Sequence, residues 1–122
     1  MKDFPTPPAG AKADVLHPLC PSRQVLAHLT SRWGALILVA LSGKTLRFSQ
    51  LRRALGNVSE RMLAQTLQTL EADGMITRVA HDVVPPHVDY SLTEIGEEAA
   101  GLVKGLAAWV ERRLPEILAG RG

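Results

Sequence analysis

The sequence predicts one mainly α-helical domain with a small β-hairpin, an α+β fold. Its 122 residues suit a single domain, because domains usually run to about 100–200 residues. Hydrophobic residues make up 46% of the chain and charged residues 21%, a balance typical of a globular chain that buries a core and not of a wholly disordered one. Helical patterns fill most of the chain, and two short strand patterns lie close together after residue 74.

The first part of the chain predicts a tail, a helix and an apolar segment. Residues 1–19 contain four of the eight prolines and little periodicity, so we expect a flexible tail there. Pro21 and Ser22 predict the start of a helix, with Ser22 as its N-cap. Residues 33–41 are almost entirely apolar, and periodicity alone leaves both a buried helix and a buried strand open there.

Two helices are expected in the middle of the chain. Residues 48–55 predict a short helix, and Gly56 with Asn57 predicts a turn after it. Ser59 is expected to cap a helix that runs to Asp73. The side chains expected to face the core from this second helix are Met62, Leu63, Thr66, Leu67 and Leu70.

A hairpin and a long helix complete the predicted domain. Residues 75–81 and 87–92 predict two strands joined by a five-residue link, and the second strand alternates apolar with polar side chains. Thr93 is expected to cap the final helix. Pro115 is expected to kink or restart that helix, because its ring removes a hydrogen bond and clashes with the preceding turn.

The sequence predicts a cytoplasmic protein. Its longest apolar run, residues 35–41, is far shorter than the ~20 residues that span a bilayer. Prolines soon after residue 1 also exclude the apolar region of a signal peptide. The expected domain covers residues 20–118, and residues 119–122 are expected to form a short second tail.

Positive charge is concentrated in one part of the chain. The formal net charge is only +2, yet residues 44–61 carry five basic side chains and one acid. Residues 62–93 carry one basic side chain and four acids. A local positive segment in a nearly neutral chain predicts one face that binds a polyanion, although a solvated helix face is the plainer interpretation of the charge alone.

Helix, short turn, helix and hairpin is the order of a winged helix-turn-helix. In such a module the second helix lies in the major groove of DNA and the hairpin reaches alongside. Arg can pair with guanine and Gln with adenine through two hydrogen bonds each, and the helix after Ser59 carries both residue types. The side chains predicted to contact DNA are Arg47, Arg52, Arg53, Ser59, Arg61, Gln65, Gln68, Thr69 and His87.

Several motifs resemble the HxlR-type transcriptional regulators of the MarR-like superfamily. They are Cys20-Pro21 ahead of Trp33, RFSQLRRAL at residues 47–55, SERMLAQTL at residues 59–67, LEADG at residues 70–74 and VPPHVDYSLTEIG at residues 84–96. The resemblance covers about residues 20–118. It implies a dimeric, DNA-binding winged helix-turn-helix regulator, often one that senses reactive compounds, and a helix rather than a strand at residues 33–41.

Extra helices before and after the winged helix-turn-helix are expected to serve in dimerisation, and the clearest pattern is that of the last helix. Its apolar stripe is broader than a domain of this size can cover, and such a surface usually marks an interface; folding back onto its own domain is the alternative. Gly101 and Gly105 each cost about 1 kcal/mol relative to Ala in a helix, which a close approach of two backbones would explain. The stripe comprises Ile95, Ala99, Leu102, Val103, Leu106, Val110 and Leu114, with Ile117 and Leu118 beyond Pro115.

Cys20 is the only cysteine in the sequence. The resemblance implies that this residue is redox-sensitive in several family members, and a helix N-terminus together with Arg23 would lower its pKa. A disulfide from it would have to join two chains or capture a small thiol. A buried, inert cysteine is the alternative.

The sequence predicts no enzyme, no cofactor and no metal site. His17, Cys20 and His28 are spaced so that they are not expected to converge on an ion. His81 and His87 flank the hairpin tip and are expected to face solvent or phosphate. The expected partners are double-stranded DNA, a second copy of the chain and an oxidant or other small effector.

The expected function is therefore that of a homodimeric regulator that binds a palindromic operator, with a redox or electrophile signal as a further expectation. The alternative is a winged-helix module that binds proteins and has lost DNA binding. That alternative stays open because the hairpin tip contains Asp82 and neither Lys nor Arg.

Overall fold

The computed structural model describes residues 13–121. Residues 1–12 of the predicted tail and residue 122 lie outside the described part. Five helices and three strands occur within residues 13–121, which confirms the α+β class. In chain order they are α1 (Pro21–Thr30), α2 (Arg32–Leu41), β1 (Thr45–Arg47), α3 (Phe48–Leu55), α4 (Glu60–Ala72), β2 (Ile76–His81), β3 (His87–Leu92) and α5 (Glu94–Ala119).

The apolar segment that periodicity left open is helix α2. Ser31 caps it by accepting a hydrogen bond from the Gly34 amide at 3.2 Å, and Ile37, Leu38 and Leu41 are fully buried. Helices α3 and α4, the sheet and α5 all pack against α2. The helix implied by the family resemblance is therefore confirmed, and it forms the centre of the core.

The cap predicted for α1 is wrong. Cys20 occupies the N-cap position, Pro21 is the first helical residue, and Ser22 lies inside the first turn. Proline favours the first helical position because its missing N–H would be unpaired there in any case. The N-cap position is therefore Cys20, two residues earlier than predicted, and the thiol lies directly at the start of the helix.

Helix α4 packs on the core along a narrower stripe than expected. Leu63, Leu67 and Leu70 are buried, but Met62 is 42% exposed, so its predicted inward position is wrong. With 3.6 residues per turn, adjacent residues lie about 100° apart around a helix. Met62 therefore lies a quarter turn away from the leucines and faces α1 and α2 across a shallow cavity.

The predicted hairpin is part of a three-stranded antiparallel sheet in the described structure, with the order β1-β3-β2. Strand β3 has the predicted bounds and β2 begins one residue later than predicted. The sequence did not predict β1, which pairs Leu46 with Tyr90 and Arg47 with Asp89. The inner face of the sheet contributes Ile76 and Tyr90 to the core.

Helix α5 begins at the predicted cap but does not restart. The Thr93 hydroxyl accepts a hydrogen bond from the Gly96 amide at 3.1 Å, and the helix is continuous through Pro115 to Ala119. Only its first turns are buried, at Gly96 and Ala100. Within residues 13–121, no single helix is long and apolar enough to cross a membrane, and α1 with α2 meets that test only as a pair bent by 70°.

Candidate nucleic-acid interface

The turn between α3 and α4 is braced by one arginine. Arg52 donates from Nε to the Val58 carbonyl oxygen at 3.1 Å and from Nη1 to the Glu60 carboxylate at 3.2 Å. Gly56 ends α3 with a positive φ of 73°, a conformation that glycine adopts without steric cost. Val58 then fills the core beneath the turn. Arg52, Gly56 and Val58 therefore set the orientation of α4 relative to α3.

The exposed face of α4 carries a stripe of long polar side chains. Arg61, Gln65 and Gln68 are all exposed, and their spacing of four and three residues aligns them along one side of the helix. That side is opposite the buried leucines. We call these three residues the α4 stripe.

Two other predicted residues of this region lie off the α4 stripe. Ser59 caps α4, and its hydroxyl accepts a hydrogen bond from the Met62 amide at 3.0 Å. Thr69 is half-buried, and its hydroxyl donates to the Gln65 carbonyl oxygen at 3.2 Å. Their observed contacts are within the helix, which is the usual role of short hydroxyl side chains there.

Basic side chains of α3 lie beside the turn that leads into α4. Arg52 and Arg53 are exposed beside a groove of about 530 Å³ that Ser49 and Asn57 also line. Arg52 is paired with Glu60, whereas Arg53 has no carboxylate within 4.0 Å among residues 13–121. The charge of Arg53 is not offset by a neighbouring carboxylate. Arg53 is therefore better placed than Arg52 to contact a phosphate of the DNA backbone.

The structure separates two predicted residues from this group. Arg47 precedes α3, and its amide donates to the Gln50 side chain at 2.8 Å. In the sheet it is the register partner of Asp89. His87 is half-buried in β3 and stacks on His81, with ring centroids 4.6 Å apart. Both residues therefore lie on the outer face of the sheet rather than on α4.

Cys20 is half-buried at the N-cap of α1, and its thiol is hydrogen-bonded. Its Sγ lies 3.0 Å from the Ser22 hydroxyl and accepts from the Asp14 amide at 3.3 Å. The Ser22 hydroxyl lowers the pKa of the thiol most, the amides of Asp14 and Ser22 lower it further, and partial burial and the Asp14 carboxylate oppose them.

Arg23 is not among the groups that lower the pKa of Cys20, contrary to the expectation from the sequence. The Arg23 guanidinium donates to the Leu16 carbonyl oxygen at 3.3 Å. The hydrogen bonds at the start of the helix act instead of a charge, because donors to sulfur stabilise the thiolate.

The side chains of His17, Cys20 and His28, which the sequence analysis considered as metal ligands, each have other contacts. The His17 ring accepts from the Leu19 amide, and the His28 ring contacts the Asp73 carboxylate at 2.6 Å. The contact between His28 and Asp73 joins α1 to the end of α4, and sequence analysis missed it. No local pattern could have found it, because the two residues are 45 positions apart.

The helix–turn–helix of α3 and α4, followed by the β2–β3 hairpin, defines a winged helix-turn-helix of the kind found in DNA-binding transcriptional regulators. The sequence matches the HxlR-like helix-turn-helix family over residues 28–117. This chain belongs to that family, as the motifs implied.

Two similar proteins are named as regulators of this class. The HTH-type transcriptional regulator YtfH of Escherichia coli K12 is 63% identical over 102 residues, which cover 84% of this chain and 81% of that protein. The structure of the transcriptional regulator YtfH from Salmonella typhimurium superposes with a TM-score of 0.85 at 57% identity, covering 90% of this chain and 98% of that one.

A redox regulator is also similar in structure. The oxidised form of the redox regulator HypR superposes with a TM-score of 0.70 at 33% identity, covering 76% of this chain and 96% of that one.

Proposed function

We propose that this chain acts as a homodimer on a palindromic operator, with α4 in the major groove. The α4 stripe is the observation that carries this proposal. Arg61, Gln65 and Gln68 offer end groups that can pair with guanine and adenine edges, and they project from one side of a helix that the buried leucines hold to the core. Arg53 and Arg52, beside the turn that leads into α4, offer phosphate contacts, which fix the register of the helix on the duplex.

The exposed part of α5 supports a dimer. Leu102 is 78% exposed, and Leu106 and Trp109 follow it on the same side of the helix. Helical Gly101 and Gly105 have open space around them, which leaves room for a second backbone. An apolar surface of this extent is typical of an interface. Pairing two copies through α5 would allow two α4 helices to reach half-sites one DNA turn, about 34 Å, apart.

Cys20 supports a redox response, which is the role that the name of HypR gives to that relative. A lowered pKa makes the nucleophilic thiolate more abundant at neutral pH. In oxidation by diamide or a quinone, two Cys20 thiols from two chains would lose two electrons and two protons to the oxidant and form one disulfide. A single Cys20 could form the same bond with a small thiol.

Operator binding is tested with the DNA upstream of the chain's own gene and a scrambled duplex of equal length. We expect tighter binding to the upstream DNA, and a log affinity that falls with log salt at a slope of about −5 to −7 if six to eight phosphates are neutralised. A slope near zero on both duplexes would favour the alternative of a protein-binding module. The exposed wing tip, with Asp82 and Val84 and no basic side chain, is the surface such a module would use.

A further inference from the structure

We propose that His81, His87 and Asp89 form a binding site for a divalent transition-metal ion such as Zn²⁺ at the base of the wing. One ligand atom from each residue lies within 4.8 Å of the other two, and this is the one such group of three among residues 13–121. The proposal goes beyond DNA binding, and it revises the expectation that the chain holds no metal site.

The sheet register brings the three side chains together. His81 and His87 are directly opposite each other in the last pair of the β2–β3 ladder before the turn. Asp89 follows His87 by two residues in β3. Because side chains alternate between the faces of a strand, all three project from the same outer face. Their positions are therefore fixed by backbone pairing rather than by a mobile loop.

The interatomic distances suit a small cation. Asp89 Oδ2 is 2.8 Å from His81 Nε2, and Asp89 Oδ1 is 3.9 Å from His87 Nε2. Zinc binds nitrogen and oxygen ligands at about 2.0–2.2 Å, which puts tetrahedral ligand atoms about 3.3 Å apart. The two separations join different carboxylate oxygens to the two rings, and the ligand atoms taken one per residue lie within 4.8 Å of one another. Side-chain rotations that close these gaps to about 3.3 Å would place three ligands around one ion.

The ligand set also selects the class of ion. Imidazole nitrogen suits Zn²⁺, Cu²⁺, Ni²⁺ and Fe²⁺, whereas Mg²⁺ and Ca²⁺ prefer oxygen alone. All three residues are half-buried, so an ion can reach them from solvent and keep an open coordination position. Arg47 is the register partner of Asp89 in β1, so it is the basic side chain of that strand best placed to compete with an ion for the carboxylate.

Metal binding is measured on the full chain with Cys20→Ser, which removes the thiol as a competing ligand. Serine is itself a good N-cap residue, so this background keeps the start of α1. We expect Co²⁺ to bind one ion per chain with a visible absorption band, and Zn²⁺ to displace it. His81→Gln and Asp89→Asn should each weaken the apparent affinity at least about tenfold, whereas Arg47→Gln should leave it equal or tighter.

His17→Gln is the matched control, because His17 is an exposed histidine outside the cluster and its loss should leave Co²⁺ affinity unchanged. Imidazole NMR signals measured in the Cys20→Ser background with all histidines intact locate the ion independently of any change in folding. Zn²⁺ should shift the signals of His81 and His87 and not those of His17. The proposal would be overturned if His81→Gln and Asp89→Asn bound Co²⁺ as tightly as the Cys20→Ser background does. Zn²⁺ shifts confined to other histidines would overturn it as well.

Discussion

His28 on α1 and Asp73 at the end of α4 make a direct side-chain contact, with 2.6 Å between imidazole Nδ1 and carboxylate Oδ2. Both side chains are largely buried, at 13% and 6% exposure. A carboxylate at the C-terminus of a helix faces the negative end of the helix dipole, so Asp73 needs a hydrogen-bond donor there. His28 supplies that partner and ties α1, which begins at Pro21 directly after the Cys20 cap, to the helix expected to contact DNA.

We expect His28→Ala to lower the free energy of unfolding by about 1–3 kcal/mol, because it leaves the buried Asp73 carboxylate without this partner. Asp73→Asn should also destabilise, and the double variant should cost less than the sum of the two. Urea unfolding measures all three, with His17→Ala as the control at an exposed histidine. Strict additivity would show that the contact contributes no coupling energy.

Local signals predicted most of the elements, and long-range pairing decided the rest. Ser59 and Thr93 were found as caps because a cap depends on the residues immediately after it. Strand β3 was found from its alternation. Strand β1 was missed because it has three residues with one half-buried side chain, Leu46, and is formed by pairing with β3.

The candidate sites also divide into those that depend on local spacing and those that depend on long-range pairing. The α4 stripe could be predicted, because its spacing lies within one helix. The convergence of His81 and His87 on Asp89 depends on hairpin register, and the brace from Arg52 to Val58 depends on the path of a turn. Neither leaves a periodic signal in the sequence, so the sequence predicts Arg52 only as a DNA contact.

Gln65→Ala is expected to cost about 1–3 kcal/mol of binding free energy on the operator and little on scrambled DNA, because base contacts carry the sequence information. Gln24→Ala is the matched control, since Gln24 is exposed on α1 and away from the α4 stripe. Fluorescence anisotropy on both duplexes gives the two affinities. Equal losses on operator and scrambled DNA would mean that Gln65 contacts the DNA backbone instead of a base.

Arg53→Ala and Arg52→Ala should differ although the residues are adjacent. Arg53→Ala should weaken binding to all sequences and reduce the magnitude of the salt slope by about 1 for each phosphate that is no longer neutralised, with thermal stability unchanged. Arg52→Ala should also lower thermal stability, because the Val58 carbonyl oxygen and Glu60 lose their donor.

Salt titration and thermal unfolding separate the two effects. If Arg53→Ala destabilises the fold as much as Arg52→Ala does, then Arg53 has two roles: it stabilises the fold and it binds phosphate. If neither variant changes the salt slope, the phosphate contacts lie elsewhere.

Leu102→Glu is expected to break the proposed dimer. Burying a leucine contributes about 1.5–3 kcal/mol, and a charge at the interface adds repulsion between the two copies, so the dissociation constant should rise at least about tenfold. Val84→Glu is the control, because Val84 is 99% exposed at the wing tip. Analytical ultracentrifugation gives the masses. A dimer that survives Leu102→Glu would exclude this side of α5 from the interface.

Thiol reactivity against pH tests the environment of Cys20. Because hydrogen bonds lower its pKa, the alkylation rate of Cys20 should reach its plateau at a lower pH than the ordinary thiol pKa of about 8.5 would give. Ser22→Ala removes the largest contribution and should shift the curve to higher pH. Arg23→Ala should leave it in place, since Arg23 donates to Leu16 and not to the thiol.

Oxidation should then act on DNA binding through this thiol. We expect diamide to lower operator affinity in the reduced wild type and to leave Cys20→Ser unaffected, because serine forms no disulfide. Cys20 occupies the N-cap position of α1, and α1 contacts the end of α4 through His28 and Asp73. A disulfide that displaces α1 would therefore disturb the helix proposed to lie in the groove. His28→Ala should therefore reduce the effect of diamide while leaving disulfide formation intact on non-reducing gels. An equal effect of diamide on Cys20→Ser would mean that the signal enters at another residue.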